Sequence, residues 1–149
     1  MQLEGSHTFP AQRQRVWDAL MDPAILQSCL PGCDELQPVG DGQYRVVLRA
    51  GVGAVKGTFQ GEVQVKDPQP PESYTLAVDA RSTVGFVRGE GRITLQAQGD
   101  QTAVTYSGEV HVGGTIAAVG QRLVGATARM LVGQFFNCVA RRVATLPEG

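Results

Sequence analysis

The chain has 149 residues, of which 42% are hydrophobic and 18% charged, and 13 basic against 14 acidic side chains leave a net charge of -1. That length suits a single domain, 1–149, and the charge balance supplies neither the basic face that nucleic acid requires nor a like-charge run that would draw the chain to an anionic membrane. Met1 to Pro10 holds Glu4 and His7 and no apolar run, so it does not read as a signal peptide, and no stretch approaches the ~20 continuous apolar residues that span a bilayer.

Gln2 to Thr8 reads as a short first strand. Pro10 precedes a helical segment, Gln12 to Met21, in which Val16, Trp17, Leu20 and Met21 fall on one side. Asp22-Pro23 ends that helix, because the residue before a proline avoids the helical region. Pro23 then suits the start of a second short helix, Ala24 to Cys29, which Leu30-Pro31-Gly32 stops. Cys29 and Cys33 have a spacing near that of zinc knuckles, but a second pair is missing. They read as small, partly buried thiols at a turn. With Cys138 they make an odd set without a disulfide framework, which predicts free thiols in a reducing, cytoplasmic setting.

From Asp34 to Val112 the period becomes two. Tyr44, Val46 and Leu48 share a face, as do Phe59, Gly61, Val63 and Val65. Beyond the turn at Pro68 to Pro71 come Tyr74, Leu76, Val78 and Ala80, then Val87, Gly89, Gly91, Ile93 and Leu95. After Gly99-Asp100 the last row is Val104, Tyr106, Gly108, Val110 and Val112. Polar residues occupy the alternate positions, so these strands predict an antiparallel meander with one dry face.

Gly113-Gly114 breaks the alternation, and Thr115 caps a helix of about 30 proline-free residues that runs to Leu146, or ~45 Å. At ~100° per residue, Ile116, Val119, Leu123, Ala126, Thr127 and Met130 form its apolar stripe, with Gln121, Arg122, Gly125 and Arg129 opposite. Gln134 falls within that stripe and Asn137 toward it. The Gln134 amide is rotated outward by helix curvature, is satisfied by the sheet backbone, or meets a ligand's polar head. Val132 and Phe136 project the other way, to pack on the short helices or to form a docking patch.

Glycine is over-represented, 19 residues against a norm of ~7%. Gly61, Gly89, Gly91 and Gly108 all fall on the inward, otherwise apolar, strand faces. Two consequences are open: the glycines permit strong curvature, or curvature and missing side chains together leave an internal cavity. The chemistry-bearing residues are sparse. No phosphate loop is present, and Glu35, Asp41, Glu62, Asp67, Asp79, Glu90 and Glu109 lie in loops or face outward. No serine or cysteine has an evident base partner, which leaves Tyr44, Tyr74 and Tyr106 as the inward polar groups.

The ordered set Val16-Trp17, Asp22-Pro23, Leu30-Pro31-Gly32-Cys33, Gly51-Val52-Gly53, Gly57, Phe59, Gly61, Ser73-Tyr74, Gly85, Gly89, Thr102, Tyr106, Gly113-Gly114, Val119-Gly120 and Phe135-Phe136 runs almost end to end. In this the chain resembles the G-subunit family of carbon monoxide dehydrogenase, within the START-like (SRPBCC) helix-grip superfamily. The resemblance implies an α+β fold, a curved antiparallel sheet of about seven strands wrapped on a long C-terminal helix, with two short helices after strand 1. It also implies an accessory role beside a molybdenum hydroxylase, linking that enzyme to a quinone or to the inner face of the membrane. Members of the family often continue into a C-terminal tail that helps membrane attachment. The sequence ends at Gly149, and the expectation is a stand-alone carrier or a differently attached accessory.

Together these readings predict a non-enzymatic, cytoplasmic protein holding a quinone-like or lipid-like molecule, with no covalently bound cofactor and no metal. The expected cavity residues are Trp17, Leu20, Phe59, Leu76, Tyr106, Leu123, Met130 and Gln134. The alternatives are an enzyme acting on a hydrophobic substrate in the same cavity, and an interaction protein with a filled core that works through the Val132–Phe136 surface.

Overall fold

Alternation of apolar and polar residues between Cys33 and Gly113 produces six consecutive antiparallel strands in the computed structural model, which describes residues 1–145. They are β2 (Cys33–Gly40), β3 (Gln43–Val52), β4 (Val55–Gln69), β5 (Ser73–Ser82), β6 (Gly85–Gln98) and β7 (Gln101–Gly113). The first strand, β1 (Gln2–Phe9), pairs with β7, so the sheet runs β1-β7-β6-β5-β4-β3-β2. Its two chain-consecutive members, β1 and β2, therefore lie at opposite edges. The chain crosses between those edges through α1 (Arg13–Leu20) and α2 (Pro23–Cys29). The Asp22 carboxylate caps α2 by accepting from the Ala24 amide at 2.9 Å, and Pro23 occupies its first turn.

A long helix, α3 (Gln121–Thr145), covers the concave face. It starts later than the sequence predicts: Thr115–Val119 form a 3-10 turn, and Gly120, at φ 105°, separates that turn from the helix. The predicted end at Leu146 lies outside the described residues. The break changes which face points inward. Val124, Phe136, Val139 and Val143 are buried, whereas Leu123 is 44% and Met130 53% exposed. The predicted stripe is thus rotated by about one residue. Counting an unbroken helix from Ile116 set the wrong phase, and a segment apolar on nearly all sides gave no internal correction. Gly125, expected on the outer side, is buried, and a side chain there would meet Met1 Sδ at 3.3 Å. Phe136 belongs to no docking patch. Its ring stacks on Tyr106, with centroids 5.4 Å apart, and lies near Phe9 and His7.

The cysteine reading also needs correction. Cys29 at the end of α2 and Cys138 on α3 form a disulfide, their Cα atoms 5.4 Å apart, and only Cys33 is free. The two residues are 109 positions apart, so their proximity is created by the docking of α2 on α3 and leaves no local spacing signal. The inference of a reducing compartment from unpaired thiols loses its ground.

Packing forms three cores: Leu36, Tyr44 and Val46 on β2 and β3, and two more at opposite ends of the sheet. One of these two gathers Val16, Trp17 and Leu20 of α1 with Tyr74, Ile93, Leu95, Val139 and Val143. The other holds Val52, Phe59, Ala80, Ile116 and Val124 at the 3-10 end. Between these ends the sheet and helix stand apart.

Candidate ligand cavity

The separation is legible in the strand register. Along β5 the inward residues run Tyr74, Leu76, Val78, Ala80, and along β6 they run Ile93, Gly91, Gly89, Val87. The outer members of each series belong to or pack on the two end cores. The middle members form two rows across the sheet, Tyr44–Val63–Val78–Gly89–Val110 and Val65–Leu76–Gly91–Gly108–Leu3. Every residue of both rows lines one cavity of about 410 Å³. Thr127, Ala128, Leu131, Val132 and Phe135 of α3 form the facing wall, and Leu26, Leu30 and Pro31 close it beside α2.

The inward glycines act in two ways. A Cβ on Gly61 would run into the Asp79 carbonyl, so this glycine serves close approach within the curved sheet. A Cβ on Gly91 would find its nearest neighbour, the Ser107 carbonyl oxygen, at 3.5 Å, which is ordinary contact. Gly91 therefore leaves room. Curvature and cavity both follow from the glycine pattern.

The cavity's chemistry is almost wholly apolar. Among the described residues no Lys, Arg or His lines it, and Glu90, which borders it, directs its carboxylate to Lys66 at 3.0 Å. Other carboxylates are paired on exposed surfaces, Asp34 with Arg49 at 3.0 Å and Asp79 with Arg88 at 3.7 Å. The phenols of Tyr44, Tyr74 and Tyr106 and the hydroxyl-bearing Ser107 and Thr127 are the other polar residues of its lining. Burial pushes the Tyr74 phenol well above its ordinary range. Burial, then the nearby Asp22 charge, raises Tyr44.

Of the residues expected at the site, Leu20, Phe59, Leu76 and Tyr106 line the cavity. Trp17 stands one layer behind, 5% exposed and edge-on to the Tyr74 ring at 5.5 Å. Leu123, Met130 and Gln134 are on the outer side of α3, displaced by the phase error at Gly120. Leu123 instead touches the β3–β4 turn at Gly53. Leu131 and Phe135 occupy the positions those residues were expected to fill. Their hydrophobicity was visible in sequence, but their direction was not.

A curved antiparallel sheet gripping a C-terminal helix, with a cavity between them, defines a START-like helix-grip domain. The family model for the G subunit of carbon monoxide dehydrogenase (CoxG) matches residues 5–144, and the chain belongs to that family. It is also similar to a conserved protein from Geobacillus kaustophilus of known structure, with 36% identity, a TM-score of 0.93, and coverage of 97% of this chain and 95% of that one. A START superfamily protein from Mycobacterium smegmatis superposes with a TM-score of 0.74 at 14% identity, covering 98% and 99% of the two chains. The Zhui aromatase/cyclase from Streptomyces sp. R1128 does so with a TM-score of 0.68 at 15% identity, covering 97% and 93%. These last two likenesses show the fold alone. A search of curated proteins found no match.

Proposed function

We propose that the protein is a non-enzymatic accessory or carrier that holds a quinone-like or lipid-like molecule in the cavity and serves a molybdenum hydroxylase of carbon monoxide dehydrogenase type. One observation carries this reading. Val63, Val65, Leu76 and Val78 sit at the centre of the sheet, on the face that α3 covers, yet remain half-buried because no side chain fills the space over them. Interiors normally pack to the density of organic crystals, so an unfilled apolar volume of this size is unusual. It falls in the ~300–1,000 Å³ range of small-molecule sites. An apolar ligand would recover about 25 cal/mol for each Å² it removes from water.

Membership of the CoxG family supports the accessory role. The placement of carboxylates in ion pairs outside the cavity supports binding over acid–base catalysis. In this reading the protein reaches the membrane peripherally. By length and composition α3 is long and apolar enough to cross a bilayer, and 28% of that stretch is buried; its Val139 and Val143 pack fully into the core, as a covering helix requires.

Gentle purification, native mass spectrometry and organic extraction test the proposal. The expected result is a bound species that extracts into organic solvent and carries a long apolar portion. A ligand-free spectrum, combined with no uptake of an added alkylquinone or phospholipid, would overturn it.

A further inference from the structure

Tyr74 is the most deeply buried of the three tyrosines that line the cavity. Its side chain is 3% exposed, it lines the cavity, and its hydroxyl has no hydrogen-bond partner among the described residues. No sealed side-chain oxygen or nitrogen lacks a partner among those residues, so the Tyr74 oxygen must reach open volume. We take the cavity, which Tyr74 lines, to be that volume. The ring is held in place by Trp17, edge-on at 5.5 Å, and by its place in the strand row Tyr74–Ile93–Tyr106. A fixed, buried donor without an acceptor forgoes a hydrogen bond that a ligand can supply.

We infer that Tyr74 reads the ligand's polar end, donating a hydrogen bond to a neutral acceptor oxygen such as a ketone, quinone or ester carbonyl. The inference rests on the cavity holding an apolar ligand, as proposed above, and adds the chemical class of its head. The lining argues against an anionic head. No cationic side chain among the described residues lines the cavity, so a carboxylate or phosphate there would be desolvated without a counter-charge. A neutral phenol is a donor, and burial keeps Tyr74 in that form across the neutral range. The other two phenols are less suited. Tyr106 stacks on Phe136 with its hydroxyl over the backbone at Gly5, and Tyr44 lies near the Asp22 carboxylate.

The test uses three probes of matched chain length, tridecane, 2-tridecanone and tridecanoate, each displacing a naphthalene-type fluorophore from the full chain and from Tyr74→Phe. The wild-type chain is expected to bind the ketone tighter than the alkane and tighter than the carboxylate. Tyr74→Phe weakens the ketone about tenfold while the alkane stays within about twofold, which also shows that the variant is folded with its cavity intact. Unchanged ketone affinity in Tyr74→Phe, or a wild-type preference for tridecanoate, overturns the role of Tyr74 and leaves the carrier reading standing. Failure of the wild-type chain to bind any of the three probes overturns both.

Discussion

Cys29 and Cys138 join α2 to α3 through a disulfide that closes a loop of 109 residues. The bond stands beside the cavity: Leu30 and Pro31 follow Cys29 directly, and Phe135 precedes Cys138 by one helical turn. A crosslink over so long a loop restricts the unfolded chain strongly. Cys138→Ser is expected to cost about 2–4 kcal/mol and to lower the Tm by roughly 5–15 °C. Thermal melts of the wild-type chain with and without dithiothreitol should reproduce that shift, and the variant should show none. Equal melting of oxidised and reduced protein would remove the disulfide from the account of stability.

Gly91 and Gly61 separate the two uses of inward glycine. Gly91→Val should place its side chain in free volume, so folding is retained and uptake of an alkyl ligand falls at least about tenfold. Gly61→Ala meets the Asp79 carbonyl and should lose about 1–3 kcal/mol in urea unfolding. Undiminished ligand binding by Gly91→Val would mean the bound molecule lies elsewhere.

Alkaline pH acts through the buried phenols. The Tyr74 pKa is raised on folding from an ordinary value of 10.0, so above about pH 10 the unfolded chain releases its proton first. The stability tied to the neutral phenol is therefore complete below that pH and is lost as pH rises toward the folded-state pKa. Tyr44 shifts in the same direction. Urea midpoints measured between pH 8 and pH 11, on the order of one point per half unit, should fall more steeply for the wild-type chain than for Tyr74→Phe. Parallel curves would show that Tyr74 is not titrating from a buried position.

The outer face of α3 offers a control. Leu123→Ser, Met130→Ser and Gln134→Leu are expected to leave ligand affinity within about twofold and stability within about 0.5 kcal/mol. Leu131→Arg, on the cavity wall, should abolish uptake by introducing an unpaired charge. Loss of binding in Gln134→Leu would return that amide to the site.

The period-two rows, the proline and glycine punctuation, and the inward positions of Tyr74, Gly91 and Gly108 were all decided by sequence. Strand alternation is a local property, and each residue's face follows from its parity with its neighbours. Whether the glycines meant curvature or space was not decided there, because a missing Cβ looks the same in both cases. Only once neighbouring strands are in place does a Cβ on Gly61 run into a carbonyl and one on Gly91 make ordinary contact. The same limit applied to α3. Apolar residues on nearly every side left its rotation to be set by contact with the sheet, with Phe136, Val139 and Val143 drawn into the core and Leu123 and Met130 turned out. The pairing of Cys29 with Cys138 and the unpartnered Tyr74 hydroxyl likewise exist only in three dimensions. Both depend on groups far apart in the chain, and no local propensity encodes such meetings.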